Sequence, residues 1–170
     1  ALDVGEGTRV VTPAMLIAQI SDPHLRPKGV LYQDLVDSNA MFAAAVEHLN
    51  GLTPQPDVVI LSGDLVDYGT AEEYAFAREL LAAIRQPLLM IPGNHDEREA
   101  MRRAFPDHSY MPAAGPLHFA ASDVGPVRLI GLDVTIPGLH HGDFDEAAQV
   151  LNASARPDDQ PGPLGDHRSG

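Results

Sequence analysis

Four short apolar runs punctuate the chain: Met15 to Ile20, Val58 to Leu61, Leu88 to Ile91 and Val127 to Leu132. Each has strand length and reads as a buried β-strand. Between the first two, Phe42, Ala45, Val46 and Leu49 recur at helical spacing within Asp37 to Asn50, and Gly51 supplies a stop. Between the second and third, Thr70 and Glu73 have capping-box spacing, in which a hydroxyl and a carboxylate satisfy orphan amides at a helix start. Tyr74, Ala77, Leu80, Leu81 and Ile84 then form the stripe to be buried. Strands alternating with helices of this length predict βαβ units and a mostly parallel sheet. A short helix from Glu97 to Ala104, a strand from Leu117 to Ala121 and a helix from Asp143 to Leu151 complete the expected elements.

The ends differ from the middle. Residues 1–14 read as a disordered leader or extension, residues 15–151 as a domain, and residues 152–170 as a disordered tail. From Arg156 onward that tail has one aliphatic side chain, three prolines and three glycines, too little to fill a core.

A length of 170 residues fits one domain, and composition narrows its chemistry. With no cysteine, disulfides, thiolate zinc sites and cysteine nucleophiles are excluded, so any metal must sit on carboxylate, imidazole and amide ligands. A net charge of −13 argues against a nucleic-acid polymer or an anionic membrane as partner and suits a cation binder. No apolar run approaches the roughly 18 residues of a membrane helix, and the leader lacks a signal peptide's apolar segment. A soluble, cytoplasmic protein is expected.

The candidate chemistry follows the strands: Ser21-Asp22-Pro23-His24, then Ser62-Gly63-Asp64, then Pro92-Gly93-Asn94-His95-Asp96, and Asp133 after the fourth run. Ligands of open α/β sheets bind beyond the carboxyl ends of the strands, so these groups should converge on one rim. Asp22 and His24 can turn toward one ion, Asp64 can bridge two, and Asn94 offers a neutral carbonyl oxygen. Gly63 and Gly93, without a β-carbon, let the backbone approach closely. Each also has a plainer reading: Asp22, Asp64 and Asn94 as turn residues, His24 as a satisfied histidine. Asp96 reads as the cap of the helix starting at Glu97, or as support for a ligand. Asp67 and Asp133 read as turn or supporting residues, and Asp57 as a strand-entry turn. The doublet His140-His141 is not taken as a ligand pair.

The ordered set Asp22-x-His24, Gly63-Asp64 and Gly93-Asn94-His95-Asp96 resembles the calcineurin-like metallophosphoesterase superfamily. Leu31-Tyr32, the helix at Asp37 and the stretch Pro137 to Gly142 are similar to its branch of class III cyclic-nucleotide phosphodiesterases and glycerophosphodiesterases. The resemblance implies an αββα sandwich, of which this chain supplies the first sheet and its helices. It further implies hydrolysis of small phosphodiesters, 3′,5′-cyclic nucleotides or glycerophosphodiesters, at two divalent ions of Fe, Mn, Zn or Co. Asp22 and His24 would bind the first ion, Asp64 would bridge, and Asn94 would bind the second. Asn94 and His95 would contact substrate, with His95 the catalytic group. The family's later histidine and its Gly-His-x-His pair do not follow residue 150. The alternative expectation is therefore a truncated or frame-shifted, noncatalytic fragment that binds metal weakly and self-associates as a homo-oligomer over an uncovered sheet face.

Overall fold

The order of elements follows from where the apolar periodicity changes. A computed structural model describes residues 15–121, 125 and 127–154. Along it run β1 (Ile17–Ser21), α1 (Ser38–Gly51), β2 (Val58–Gly63), α2 (Ala71–Leu81), β3 (Leu88–Pro92), α3 (Arg98–Ala104), β4 (Phe119–Ala121), β5 (Leu129–Gly131) and α4 (Glu146–Ser154). The expected leader lies outside the described residues. So does the expected tail beyond α4, whose helix extends to Ser154.

β1, β2 and β3 form a parallel sheet in that order, with Ile17 opposite Val58 and Val59 opposite Leu88. Consecutive parallel strands need crossovers of one hand, which place their helices on one face. Phe42 and Val46 of α1, Tyr74, Ala77 and Leu81 of α2, and Ala100 and Met101 of α3 accordingly share one core with Leu61 and Met90 of the sheet. The expected α1 stripe loses one member, because Ala45 is exposed. Asp37 is the N-cap of α1, accepting from Ala40 N at 2.9 Å. Both halves of the Thr70–Glu73 capping box form at α2.

The fourth apolar run does not extend the parallel sheet. β4 and β5 instead pair antiparallel, Phe119 opposite Gly131, as a separate two-stranded sheet. The reason lies in the connection: seven residues separate β4 from β5, too few for a parallel crossover of a dozen or more. Phe119, Ala121 and Leu129 pack on Val58, Leu89 and Ile91, covering part of the sheet face opposite the helices. On the same face of β1, Ile17, Gln19 and Ser21 stay exposed.

Asp133 follows β5 in this second sheet. It ties the β5 exit to α3: Arg98 Nε donates to its Oδ2 at 2.7 Å and Arg98 Nη2 to its Oδ1 at 3.0 Å. Leu117 N and the Thr135 hydroxyl donate as well. Burial works to raise this carboxyl, but Arg98, Leu117 and Thr135 outweigh it and hold it below the usual carboxylate range. His118 extends the tie. Its Nδ1 accepts from Asp133 N at 2.9 Å, leaving Nε2 to donate to Asp145, whose carboxylate also accepts from Ala148 N in the first turn of α4.

Because the folded carboxyl titrates below its unfolded value of about 3.9, its stabilisation is complete above roughly pH 5 and is lost as pH falls through the folded value. Asp133→Asn is expected to cost about 3–5 kcal/mol by leaving the Arg98 charge without its carboxylate partner. Thermal melts from pH 7 to pH 3 should show a lower melting point at neutral pH and a flatter acid limb in the variant.

Candidate metal centre

The parallel register brings the polar strand ends level, because Ser21 stands opposite Ser62 and Gly63 opposite Pro92. Between β1 and β2 the backbone ladder continues beyond the strands: His24 N donates to Asp64 O at 3.0 Å and Leu25 N to Leu65 O at 2.9 Å. His24 and Asp64 are thereby fixed side by side. The path needs left-handed backbone at Asp22, φ 50°, and at His24, φ 44°. Such conformations cost about 1–3 kcal/mol each outside glycine, so the surrounding bonds must hold them.

Two close approaches complete the cradle. A β-carbon on Gly63 would lie 2.1 Å from Asp22 Oδ1, and one on Gly93 would lie 2.0 Å from Asp64 Oδ1. At both positions the carboxylate occupies the space a side chain would need. Asp22 Oδ1 accepts from Asp64 N at 3.2 Å, and Asp64 Oδ1 accepts from His95 N at 3.0 Å. Each loop thus orients the carboxylate of its neighbour.

Among the described residues one cluster has metal-binding spacing: single donor atoms of His24, Asp64 and His95 all lie within 4.8 Å of one another. His24 Nε2 is 3.5 Å from Asp64 Oδ2, and His95 Nε2 is 3.9 Å from it. Donor atoms about 2.1 Å from one ion stand roughly 3–3.5 Å apart, so the first spacing matches and the second is slightly open. Buried His24 Nδ1 has no hydrogen-bond partner, at 3.4 Å from Asp67 Oδ1. With Nδ1 turned to Asp67, Nε2 is the nitrogen that faces Asp64, and a carboxylate behind the far ring nitrogen is the usual support of a ligating imidazole. Imidazole and carboxylate donors without thiolate fit a borderline divalent ion.

The remaining candidates stand around this cluster. The Asp22 carboxylate lies outside it, turned to Asp64 N. The Asn94 amide nitrogen faces His140 Nδ1 at 3.2 Å, so the Pro137–Gly142 stretch reaches the rim through one member of the histidine doublet. His95 Nδ1 lies 2.7 Å from the Asp67 carbonyl. A carbonyl only accepts, so Nδ1 carries a proton, and Nε2 is the ring nitrogen that faces Asp64.

Asp67, read as a supporting residue, lies behind both histidines. Its Oδ1 is 3.4 Å from His24 Nδ1 and 3.5 Å from His95 Nδ1. The motif reading passed over Arg26, whose Nη1 donates to Asp67 Oδ2 at 2.9 Å and to Glu73 Oε1 at 2.7 Å. Its signal was an arginine two residues beyond His24 in an acidic chain.

Asp96 corrects a sequence expectation. Glu97 caps α3 with its own carboxylate, which accepts from Glu99 N and Ala100 N. Asp96 instead turns inward and accepts from Leu65 N, Val66 N, Gly93 N and the Tyr74 hydroxyl. Burial pushes its carboxyl up to about 6 against the opposing pull of the Gly93 and Leu65 amides.

Residues 15–164 match the family of calcineurin-like phosphoesterases. Over 132 residues, 78% of this chain and 48% of the relative, the sequence is 37% identical to a probable glycerophosphodiester phosphodiesterase, GpdQ, of Arcobacter nitrofigilis. It is 41% identical over 128 residues to the glycerophosphodiester phosphodiesterase GpdQ of Enterobacter lignolyticus, covering 73% of this chain and 45% of the relative. It is 32% identical over 136 residues to a cAMP/cGMP dual specificity phosphodiesterase of Mycobacterium tuberculosis, covering 78% of this chain and 42% of the relative. The chain spans about half the length of these curated relatives. No helix among the described residues is long and apolar enough to cross a membrane. With the match running through every described strand and helix, the protein belongs to the calcineurin-like phosphoesterase family.

Proposed function

We propose that the protein hydrolyses small phosphodiesters, of the 3′,5′-cyclic nucleotide or glycerophosphodiester kind, at a site holding two divalent ions. The observation that carries this reading is the meeting of His24, Asp64 and His95 at the rim of the parallel sheet, with donor atoms within 4.8 Å of one another. The activities named for the relatives above support the substrate class. Divalent ions bound there would hold the phosphate, acidify water and offset the charge that develops in an in-line displacement.

In this reading Asp22 and His24 serve one ion, Asp64 is shared, and Asn94 serves the other. The His95 amide orients Asp64 through Oδ1, leaving Oδ2 turned to the histidine nitrogens. Asn94 presents its oxygen while its amide nitrogen faces His140. Tethered at Nδ1 by the Asp67 carbonyl, His95 keeps a fixed ring and works through Nε2 on the phosphate or leaving group. The net charge of −13 does not oppose an anionic substrate, because two dications reverse the local sign of the field. The proposal includes self-association over the exposed β1 face, where Ile17 is 41% exposed. Light scattering that finds a monomer at every concentration would remove that part.

Turnover of bis(p-nitrophenyl) phosphate by the metal-stripped chain should appear on adding Mn²⁺ and vanish in Asp64→Ala and Asn94→Ala. Activity retained in both variants, or absent from the folded parent with every metal of the set, sinks the reading. His95→Ala tests the catalytic role: turnover should fall by roughly 10²–10⁴-fold. Gly93→Ala should lose Mn²⁺ binding in a calorimetric titration, since its β-carbon claims the position of Asp64 Oδ1.

A further inference from the structure

Past the strand ends, the two sides of β2 are held differently. Toward β1 the backbone ladder runs on through His24 and Leu25. Toward β3 the pairing stops at Gly63 and Pro92. Beyond that point a single carboxylate spans the two chains. Asp96 Oδ2 accepts from Leu65 N and from Gly93 N, both at 3.0 Å, while Oδ1 accepts from Val66 N at 3.3 Å and from the Tyr74 hydroxyl at 2.8 Å. Leu65 follows Asp64, and Gly93 precedes Asn94.

We propose that Asp96, held by Tyr74, is a positioning residue that sets the spacing of the loops carrying Asp64 and Asn94 and so governs metal occupancy without touching an ion. The inference rests on the metal-centre reading above and adds to it a residue pair behind the ligands. A carboxylate offers about four lone-pair directions, and four donors use them, so Asp96 has nothing left for an ion. Its anchor lies in the core: Tyr74 is fully buried, with its ring edge-on to Phe105 at 6.4 Å between centroids. The Tyr74 hydroxyl donates to Asp96 and accepts from Glu97 N at 2.9 Å, so it holds the carboxylate and the start of α3 together. The α2 core thereby reaches the rim through one hydroxyl and one carboxylate.

Asp96→Asn replaces one acceptor oxygen by an NH₂ group that faces backbone donors, and Tyr74→Phe keeps the ring while deleting the hydroxyl. Tyr110→Phe is the control: Tyr110 is a partly buried tyrosine, whose hydroxyl accepts from Met90 N at 2.8 Å inside β3, away from the ligand loops. Mn²⁺ affinity of the full chain is read from the paramagnetic resonance of free Mn²⁺, at a temperature where circular dichroism shows each variant folded. Asp96→Asn should weaken binding by roughly 10–100-fold, as loss of a partner behind metal ligands does. Tyr74→Phe should weaken it in the same direction, and Tyr110→Phe should lower the melting point while leaving affinity at the parent value. Parent-like affinity in both folded Asp96→Asn and Tyr74→Phe overturns the proposal, as does an equal loss in Tyr110→Phe. If Asp96→Asn does not fold, Tyr74→Phe decides alone. A folded parent that binds no Mn²⁺ overturns the metal-centre reading together with this one, whereas a binding parent with unaffected variants overturns this one only.

Discussion

Crowding of carboxylates at one end of a three-stranded sheet is the constraint on which the rest of this structure depends. Asp22, Asp64, Asp67 and Asp96 all follow β1, β2 or β3, and without bound cations their repulsion must be absorbed by the protein. Backbone amides take most of it. Asp64 N serves Asp22, His95 N serves Asp64, and Leu65, Val66 and Gly93 serve Asp96. Arg26 takes the share of Asp67 and of Glu73 behind it. Asp64 Oδ2 instead faces the imidazoles of His24 and His95, where the candidate metal centre lies.

This arrangement explains local features that would otherwise be only costs. The positive φ angles of Asp22 and His24 bend the β1 exit so that its carboxylate meets the β2 loop. Gly63 and Gly93 stand where those carboxylates leave no room for a β-carbon. Distortion and glycine are located together because one requirement, close approach of several backbones to the same small volume, produces both. The helix core supplies the rigidity behind them, with Tyr74 joining the α2 packing to the rim.

The two-stranded sheet performs a different task. Phe119, Ala121 and Leu129 cover Val58, Leu89 and Ile91, and the Arg98–Asp133 pair locks this layer to α3. Arg98 follows Asn94 by four residues, so the pair also steadies the chain leaving the candidate site. His118 and Asp145 carry the same layer on to α4. The face of β1 stays open because the hairpin lies over β2 and β3.

By itself the sequence determined the local elements and the identity of the rim. Apolar runs of strand length, the Thr70–Glu73 box and the helical stripes at Phe42 and Tyr74 depend on neighbours within a few residues, and the parallel order of β1, β2 and β3 followed from the helices between them. The residues following those strands were legible for the same reason: wherever the strands go, their ends go together. Tertiary structure alone decided the rest. A short connection folded β4 and β5 into an antiparallel pair, and Asp133 met Arg98 through a contact 35 residues apart in sequence. Asp96 gave up the helix cap to Glu97 because four donors from β2, β3 and α2 converge on it, a meeting that no local spacing encodes. Arg26 became the counter-charge of Asp67 through a contact 41 residues apart in sequence. Short-range periodicity is written in the order of residues, whereas the assignment of a buried carboxylate depends on which donors the packed chain brings to it.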